Sequence, residues 1–296
     1  MTHDHAVSSN AAVPIQERQP TGDEKSTQKR FSEFDLEGKV FTVTGGGRGL
    51  GLTMAEALVE AGAQVHCLDR LPSPEDEFIQ AQKRANPAYG GSLHYHCMDV
   101  RDAEDVAHKM SKIAGIKGRL DGLLAAAGIN HVDSAFGHSQ ADINEIMSIN
   151  YTGLFICATE AAKQMMKYKC SGSILLVASI SGIMANKGMC APVYNSSKAA
   201  VIQLTRSLAM EWGQPDKTGK KSIRVNCLCP GHVVTAMVEK ILADDPESRK
   251  VWESENMLGR LAQPEEFRGA ALYLLSSASS FMTGASLVID GGHTAW

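Results

Sequence analysis

The stretch VFTVTGGGRGLG, residues 40–51, decides the fold of this chain. Its first five residues, 40–44, are apolar or β-branched and predict a short buried strand. The glycines of 45–51 predict a tight turn into a helix that runs to about Gly62. Such a turn aims free backbone N–H groups and the positive end of a helix dipole at an anion. The stretch therefore predicts a phosphate-binding turn that opens an α/β domain.

A second predicted strand, 64–68, ends in Asp69, which comes 18 positions after Gly51. Strand, glycine turn, helix and strand in this order place an acidic side chain at the ribose 2′-hydroxyl of a dinucleotide. Asp69 favours NAD, because a carboxylate repels a 2′-phosphate. Arg48 and Arg70 favour NADP, because a guanidinium pairs with that phosphate. We predict a dinucleotide site that takes NAD, with NADP as the alternative.

A phenol and an amine lie four positions apart, at Tyr194 and Lys198, in a segment predicted to be helical over about 193–213. Residues at this spacing project from the same helix face. A tyrosine titrates near ~10 in water, and an adjacent ammonium lowers that pKa toward neutrality. The pair is therefore predicted to transfer protons.

Composition limits the class of protein. The 296 residues are 44% hydrophobic and 21% charged, with a net charge of -4, which fits a large α/β domain and argues against nucleic-acid binding. No apolar run reaches the ~18 residues that a membrane span needs. The 7 cysteines include no Cys-x-x-Cys pair, which is typical of reduced thiols. We expect a soluble, cytoplasmic protein.

Two further segments give weaker signals. Residues 1–35 are polar and almost without apolar periodicity, so we predict a disordered extension before a domain spanning 36–296. His94 and His96 alternate along a predicted strand, 93–98, and share one face. Zinc binding there is the alternative to ordinary strand histidines, which we favour because no further ligand lies at the required spacing. We expect no metal.

The ordered set of motifs resembles the short-chain dehydrogenase/reductase superfamily over residues 38–296. The matching positions are Thr44-Gly45-x-x-x-Gly49-x-Gly51, Asp99, Ala126-Ala127-Gly128, Asn150, Ser179, Tyr194-x-x-x-Lys198 and Pro230-Gly231-x-x-x-Thr235. Where the family usually has Asn-Asn-Ala-Gly, this chain has alanines at 125–127 before Gly128. With no internal repeat or second core, we predict a single-domain Rossmann-type fold, a doubly wound parallel sheet of about seven strands with helices on both faces.

The resemblance implies a catalytic tetrad. Tyr194 would be the general acid/base, and Lys198 would lower its pKa and hold the nicotinamide ribose. Ser179 would hydrogen-bond the substrate oxygen, and Asn150 would hold a water that relays protons. The family's commoner spacing to the tyrosine would select Ser181 instead of Ser179, so Ser181 stays the alternative.

The same resemblance implies the cofactor-binding residues, with Val233 and Thr235 contacting the nicotinamide amide and the phosphates. The full set is Gly45, Arg48, Gly49, Leu50, Gly51, Asp69, Arg70, Asp99, Val100, Ala127, Gly128, Tyr194, Lys198, Pro230, Gly231, Val233 and Thr235.

The substrate prediction rests on a narrower resemblance. Residues 179–182, 194–198, 257–260 and 290–296 are similar to those of fungal polyol and ketose dehydrogenases, the arabinitol, mannitol and sorbose enzymes. This implies an oxidoreductase that interconverts a sugar alcohol and a ketose, and a homotetramer with a dimer second. The alternatives are a reductase of a bulkier ketone, such as a 3-oxoacyl thioester or a secondary-metabolite intermediate, and a non-catalytic dinucleotide-binding scaffold.

Overall fold

A computed structural model describes residues 31–85, 87–215 and 222–296, and within these ranges seven strands form one parallel sheet. In chain order they are β1 (Val40–Thr44), β2 (Gln64–Asp69), β3 (Ser92–Cys97), β4 (Gly122–Ala125), β5 (Ser173–Val177), β6 (Arg224–Pro230) and β7 (Ser286–Ile289). Across the sheet the order is β3-β2-β1-β4-β5-β6-β7, so the chain winds outward both ways from the boundary between β1 and β4. Ligands of such sheets bind beyond the carboxyl ends of the strands at that boundary. The predicted fold class is confirmed.

The helices pack on both faces of this sheet. The described ranges contain α1 (Gly49–Glu60), α2 (Asp76–Arg84), α3 (Ala103–Lys117), α4 (Gln140–Met147), α5 (Leu154–Lys167), α6 (Pro192–Trp212), α7 (Ala236–Asp244), α8 (Glu247–Glu255) and α9 (Arg268–Leu275). Glu33–Trp296 is one compact unit. Disorder was predicted for residues 1–35, and residues 1–30 of that segment lie outside the described residues.

Alternation along the central strands divides the core in two. In β5, Ile174 and Leu176 pack with α3, α5 and α6, whereas Leu175 and Val177 pack with α1 and α9. All five residues of β5 are buried, because helices cover both faces of a parallel sheet. The central strands are therefore held on both sides, and their carboxyl ends form a rigid edge.

The segment around Asn150 is not an ordinary α-helix. A π-helical turn, Ser148–Gly153, joins α4 to α5 and contains Asn150 at its buried side. The wider turn brings Gly153 against Val100, where an added Cβ would collide with the valine side chain. Single π-turns inside helices are often found at functional sites.

The strand histidines lie in a cluster that the sequence pattern showed only in part. His66 of β2 joins the two predicted histidines of β3, and its Nδ1 lies 2.8 Å from His96 Nε2. His94 Nε2 is 2.9 Å from Ser92 Oγ. Burial lowers the pKa of His66 to about 3, so this imidazole is neutral.

No α-helix within the described ranges combines the length and apolar character that crossing a bilayer requires.

Candidate active site

The glycine turn between β1 and α1 is closely packed. Gly45 has φ 64°, and a Cβ on it would lie 2.8 Å from the backbone nitrogen of Ala127. A Cβ on Gly51 would collide with the carbonyl oxygen of Gly45. Gly49 begins α1 with φ 55°, and Leu50 lies partly buried beside it. The turn thus needs glycine for its own geometry, and its N–H groups remain at the amino end of a helix.

Asp69 ends β2 beside this turn, as predicted. Its Oδ2 accepts a hydrogen bond of 3.0 Å from the backbone N–H of Gly47, and a Cβ on Gly47 would lie 2.8 Å from the same oxygen. The carboxylate therefore faces the glycine turn at the place where a dinucleotide ribose lies in this type of fold.

The two arginines that favoured NADP each lie beside a carboxylate. Arg48 forms an ion pair of 3.2 Å with Glu75, and both side chains are half exposed. Exposed Arg70 lies near Asp99 and contributes to the lowering of that carboxyl's pKa, which the hydrogen bond from Arg101 dominates. The paired guanidinium of Arg48 is less available to a 2′-phosphate, whereas Arg70 acts on Asp99 only through longer-range attraction.

Acidic residues near the turn were missed in the sequence. Glu77 Oε1 accepts a hydrogen bond of 3.1 Å from the backbone N–H of Gly49, at the amino end of α1. Glu75 precedes it as the N-cap residue of α2. The acidic run 75–77 was the sequence signal for this contact. Residue spacing alone, however, does not show that a helix packs against a turn 28 positions before it.

Replacing Asp69 by alanine is expected to reduce the preference for NAD over NADP by about 10–100-fold, because the repulsion of a 2′-phosphate is removed. The measurement is the ratio of kcat/KM for the two dinucleotides. Arg48→Ala is the matched control and should change that ratio by less than about threefold, because Arg48 pairs with Glu75 at the surface. An unchanged ratio in Asp69→Ala would remove the ribose role from this residue.

Two predicted cofactor residues follow β3. Asp99 is engaged by Arg101, whose Nε lies 3.0 Å from both carboxylate oxygens. Val100 is 7% exposed and its side chain packs in the core, so a contact with the cofactor would be made by its backbone. Asp99 is thus available to a ligand only in competition with Arg101, a partner that the sequence analysis missed.

The opposite side of the edge is formed by the chain after β6. A Cβ on Gly231, which follows Pro230, would lie 2.7 Å from Asp290 Cα, so this turn is packed against the end of β7. Val233 is buried and bridges to Ala262. Thr235 caps α7 and accepts a hydrogen bond of 3.4 Å from the N–H of Val238. Thr235, which lies five residues after the end of β6, therefore marks the amino end of a second helix.

The predicted proton-transfer pair lies on the first turns of α6. Lys198 is 4% exposed and its Nζ donates a hydrogen bond of 2.9 Å to the carbonyl of Val177 at the end of β5. That nitrogen lies 5.6 Å from the centroid of the Tyr194 ring, and a Cβ on Gly128 would lie 3.5 Å from it. The structure thus brings Gly128, Lys198 and Tyr194 together, with Ala127 preceding the glycine.

The pKa values differ from the expectation for this pair. Burial raises the pKa of the Tyr194 phenol, and a hydrogen bond with Ser179 only partly offsets this. Burial lowers the pKa of Lys198 to about 8. Desolvation of the phenolate therefore dominates the pKa of this tyrosine in the structure. That Lys198 lowers the tyrosine pKa stays a prediction.

Of the two candidate serines, Ser179 makes the contact with Tyr194. Its Oγ donates a hydrogen bond of 3.1 Å to Ser181 Oγ. Ser181 Oγ also accepts one of 2.6 Å from Asn186 Nδ2. A chain of hydroxyl and amide groups therefore leads from the tyrosine through Ser179 and Ser181 to Asn186.

Asn150 is fully buried and its side chain is occupied. Its Oδ1 accepts a hydrogen bond of 2.9 Å from the N–H of Ile129, and its Nδ2 donates to the Ile129 carbonyl at 2.9 Å and to Ser197 Oγ at 3.1 Å. Both amide protons are used, so a relay water held by this residue would bind at its backbone carbonyl. Ser197, which lies inside the tyrosine–lysine motif, was missed as its partner.

Comparison with known proteins accounts for this arrangement. A profile of the family described as enoyl-(acyl carrier protein) reductase matches residues 45–294. A protein of Aspergillus versicolor named short chain dehydrogenases/reductase notP′ is 40% identical over 264 residues, which cover 89% of each chain. The chain belongs to the short-chain dehydrogenase/reductase family. It is therefore an oxidoreductase that uses a nicotinamide dinucleotide.

Other members of the family are similar over most of their length. A D-arabinitol 2-dehydrogenase (ribulose-forming) of Scheffersomyces stipitis is 34% identical over 273 residues, covering 89% of this chain and 96% of the relative. A solved dehydrogenase/reductase from Mycobacterium marinum matches with a TM-score of 0.81 and 34% identity, covering 90% of this chain and 99% of that one. A gluconate 5-dehydrogenase from Burkholderia cenocepacia, solved with NADP and tartrate, has a TM-score of 0.79 and 29% identity, with coverage of 90% and 100%.

The pKa of Lys198 predicts how the rate of this dehydrogenase depends on pH. Because the tyrosine pKa is raised, the first proton that leaves the pair as pH rises comes from Lys198, near pH 8. Oxidation of an alcohol requires the pair to accept a proton. We expect kcat/KM for oxidation to rise about tenfold per pH unit below about 8 and to level off above it, with the opposite trend for reduction.

The measurement is the pH profile of both directions between about pH 6 and 10. Lys198→Met should abolish the break, because the titrating amine is gone. A wild-type profile that is flat across the range in both directions would contradict the assignment of this pKa.

Proposed function

We propose that the protein is an NAD-dependent dehydrogenase that interconverts a sugar alcohol and a ketose. The observation that carries this proposal is a buried amide with an unpartnered oxygen, Asn186, which hydrogen bonds through Ser181 and Ser179 link to Tyr194. Asn186 is 6% exposed, and its Oδ1 has no hydrogen-bond partner. Asn130 Oδ1, two residues after Gly128, is likewise buried and unpartnered. Buried carbonyl oxygens without donors are costly, and a substrate with several hydroxyls supplies donors.

The reaction follows from the residues of the tetrad. A bound nicotinamide supplies the hydride acceptor for oxidation and the hydride donor for reduction. Ser179 would hydrogen-bond the substrate oxygen and stabilise the negative charge that develops on it. Tyr194 would take the hydroxyl proton during oxidation and return it during reduction. Lys198, buried beneath the ring, would accept that proton from the tyrosine and pass it toward solvent at Asn150.

Relatives give additional support for a polyol substrate. The arabinitol dehydrogenase named above acts, by its name, on a pentitol and forms ribulose. The choice of NAD rests on Asp69 and on the pairing of Arg48 with Glu75. The gluconate dehydrogenase with bound NADP argues the other way, and the assay below decides between them.

The test is a nicotinamide absorbance assay of the purified protein with NAD and NADP against pentitols, hexitols and their ketoses. We expect turnover of at least one polyol with NAD. Asn186→Ala should raise KM for that polyol by about 10-fold or more while changing kcat less. The reason is that the substitution removes a hydrogen bond between Asn186 Oδ1 and a substrate hydroxyl remote from the reacting carbon. Turnover of no polyol and no ketose with either dinucleotide would overturn the proposal.

A reductase of a bulkier ketone is the second candidate, and exposed apolar side chains favour it. Met184, Met237 and Met257 are 38%, 41% and 50% exposed on segments that follow the carboxyl ends of β5, β6 and α8. An apolar groove suits an acyl or polycyclic ketone better than a polyol. A 3-oxoacyl thioester and an aromatic ketone therefore belong in the same assay, and turnover confined to them with NADPH would favour this candidate.

We also propose a homotetramer, from the family resemblance, and a location in the cytoplasm, from the 7 cysteines without a Cys-x-x-Cys pair. The mass of the protein in solution, measured by light scattering, tests the assembly, and a dimer is the second expectation.

A further inference from the structure

Three side chains near the start of α4 bring possible metal ligands together. In the described part of the chain, His131, His138 and Asp142 form a group whose ligand atoms all lie within 4.8 Å of one another. The two imidazoles meet edge to face, with ring centroids 5.1 Å apart. His131 Nδ1 lies 3.8 Å from Asp142 Oδ1. Three residues from one segment therefore converge on one point.

His138 gives this cluster a reason to bind something. Both of its ring nitrogens are buried, and neither has a hydrogen-bond partner. Within the described residues, His232 has one such nitrogen, its Nε2, and His138 is the histidine with two. His94 Nε2, in contrast, is 2.9 Å from Ser92 Oγ. A buried polar atom without a partner costs free energy, and a metal ion would use one of these nitrogens as a ligand.

Asp142 is already oriented for a ligand role. Its Oδ2 accepts hydrogen bonds of 2.9 Å and 2.6 Å from the N–H and the hydroxyl of Ser139, which caps α4. This capping box fixes the carboxylate and leaves Oδ1 facing His131. Such outer contacts are what hold metal ligands in place.

We propose that His131, His138 and Asp142 bind a divalent transition-metal ion such as Zn²⁺. Two imidazoles and one carboxylate form a ligand set that zinc takes, with water in the fourth position. Ligands of a tetrahedral zinc with bonds of ~2.1 Å lie about 3.4 Å apart, so the side chains must close by about an ångström. His131 is 45% exposed and Asp142 32%, which leaves the imidazole free to rotate.

The position of the cluster gives the ion a structural consequence. His138 lines an open cleft of about 320 Å³ together with Ile143 and Met147 of α4 and Pro192, Val193 and Ser196 of α6. Tyr194 lies on the same first turn of α6. An ion that joins 131 to 142 would therefore stiffen the segment before α4 and the start of that helix, which lie across this cleft from the first turn of α6.

The histidines of β2 and β3 provide an internal comparison. There the ring nitrogens bond to each other and to Ser92, and His66 is neutral in the protein interior. Those contacts satisfy the nitrogens without a metal. The proposal therefore places binding at His138 and not at His94.

The experiment uses the full-length protein after removal of metals with a chelator. Zn²⁺ is titrated by calorimetry, and Co²⁺ by its visible absorption, which reports tetrahedral coordination. We expect one equivalent to bind at the cluster, with affinity reduced about 100-fold in His138→Ala and about 10-fold or more in Asp142→Asn, which keeps an acceptor for Ser139. Binding should raise the Tm of the wild-type protein.

Three control variants keep the test specific. His108→Ala removes an exposed histidine of α3, His94→Ala tests the strand cluster, and His3→Ala with His5→Ala removes the histidines of the amino-terminal segment. All three should retain the affinity of the wild type. Absence of binding by the wild type, undiminished binding by His138→Ala, or loss of binding in one of the controls would overturn the proposal. None of these readouts depends on the dehydrogenase activity.

Discussion

Replacing Tyr194 by phenylalanine is expected to lower kcat by about 10³-fold in both directions, since a general acid/base contributes typically ~10²–10⁴-fold. Phenylalanine keeps the ring that lies 5.6 Å from Lys198 Nζ and removes only the hydroxyl that contacts Ser179. The dissociation constant of the dinucleotide should therefore change less than about threefold. The measurements are steady-state kinetics and a titration of dinucleotide fluorescence.

Tyr168→Phe is the matched control for this variant. Tyr168 follows α5 and packs partly buried on the core, away from the tetrad, so its loss should leave kcat within about twofold. If Tyr194→Phe kept activity within a few-fold of the wild type, another group would transfer the proton.

The serine pair gives the second large effect. Ser179→Ala is expected to lower kcat/KM by about 10²-fold or more, because a hydrogen-bond donor to the developing alkoxide is lost. Ser181→Ala should lower it by less than about 10-fold and act mainly on KM, because Ser181 hydrogen-bonds to Ser179 and, under the proposed assignment, would not touch the substrate oxygen itself. Each variant removes one hydroxyl oxygen from the wild-type protein, so each serves as the control for the other.

The reverse order of effects would contradict the assignment. A larger loss in Ser181→Ala than in Ser179→Ala would select the serine at the commoner family spacing. Asn186 supplies an additional check, because its hydrogen bond of 2.6 Å to Ser181 Oγ holds that hydroxyl in place. Asn186→Ala should then resemble Ser181→Ala in its effect on KM.

Local features of the fold were predictable because adjacent residues determine them. The glycine turn after β1 requires positive φ at Gly45 and close packing at Gly51, and the sequence shows both as glycines. The pairing of tyrosine and lysine follows from helical spacing alone. Their places on the first turns of α6 were therefore foreseen, and the acidic end of β2 was foreseen for the same reason.

Contacts between distant segments were not predictable in this way. The hydrogen bond between Gly49 and Glu77 joins a turn to a helix 28 positions later, and the link from Asn150 to Ile129 spans 21 positions. The pKa values were missed for a related reason. Sequence spacing shows which charges are neighbours, but the desolvation that raises the pKa of Tyr194 depends on how much of the fold covers it.

The clamp of Asn150 on Ile129 bears on how such an enzyme can diverge. The Asn150 side chain contacts Ile129 through hydrogen bonds to its backbone N–H and carbonyl. A substitution at 129 would therefore leave these two hydrogen bonds to the π-turn possible. The anchoring therefore uses no side chain of residue 129, although Gly128 before it must stay small, because a Cβ there would lie 3.3 Å from Asn150 Oδ1. Substitutions after Ile129 can therefore change the side chains of the segment that follows β4 while the helical elements that contain Asn150, Tyr194 and Lys198 keep their positions.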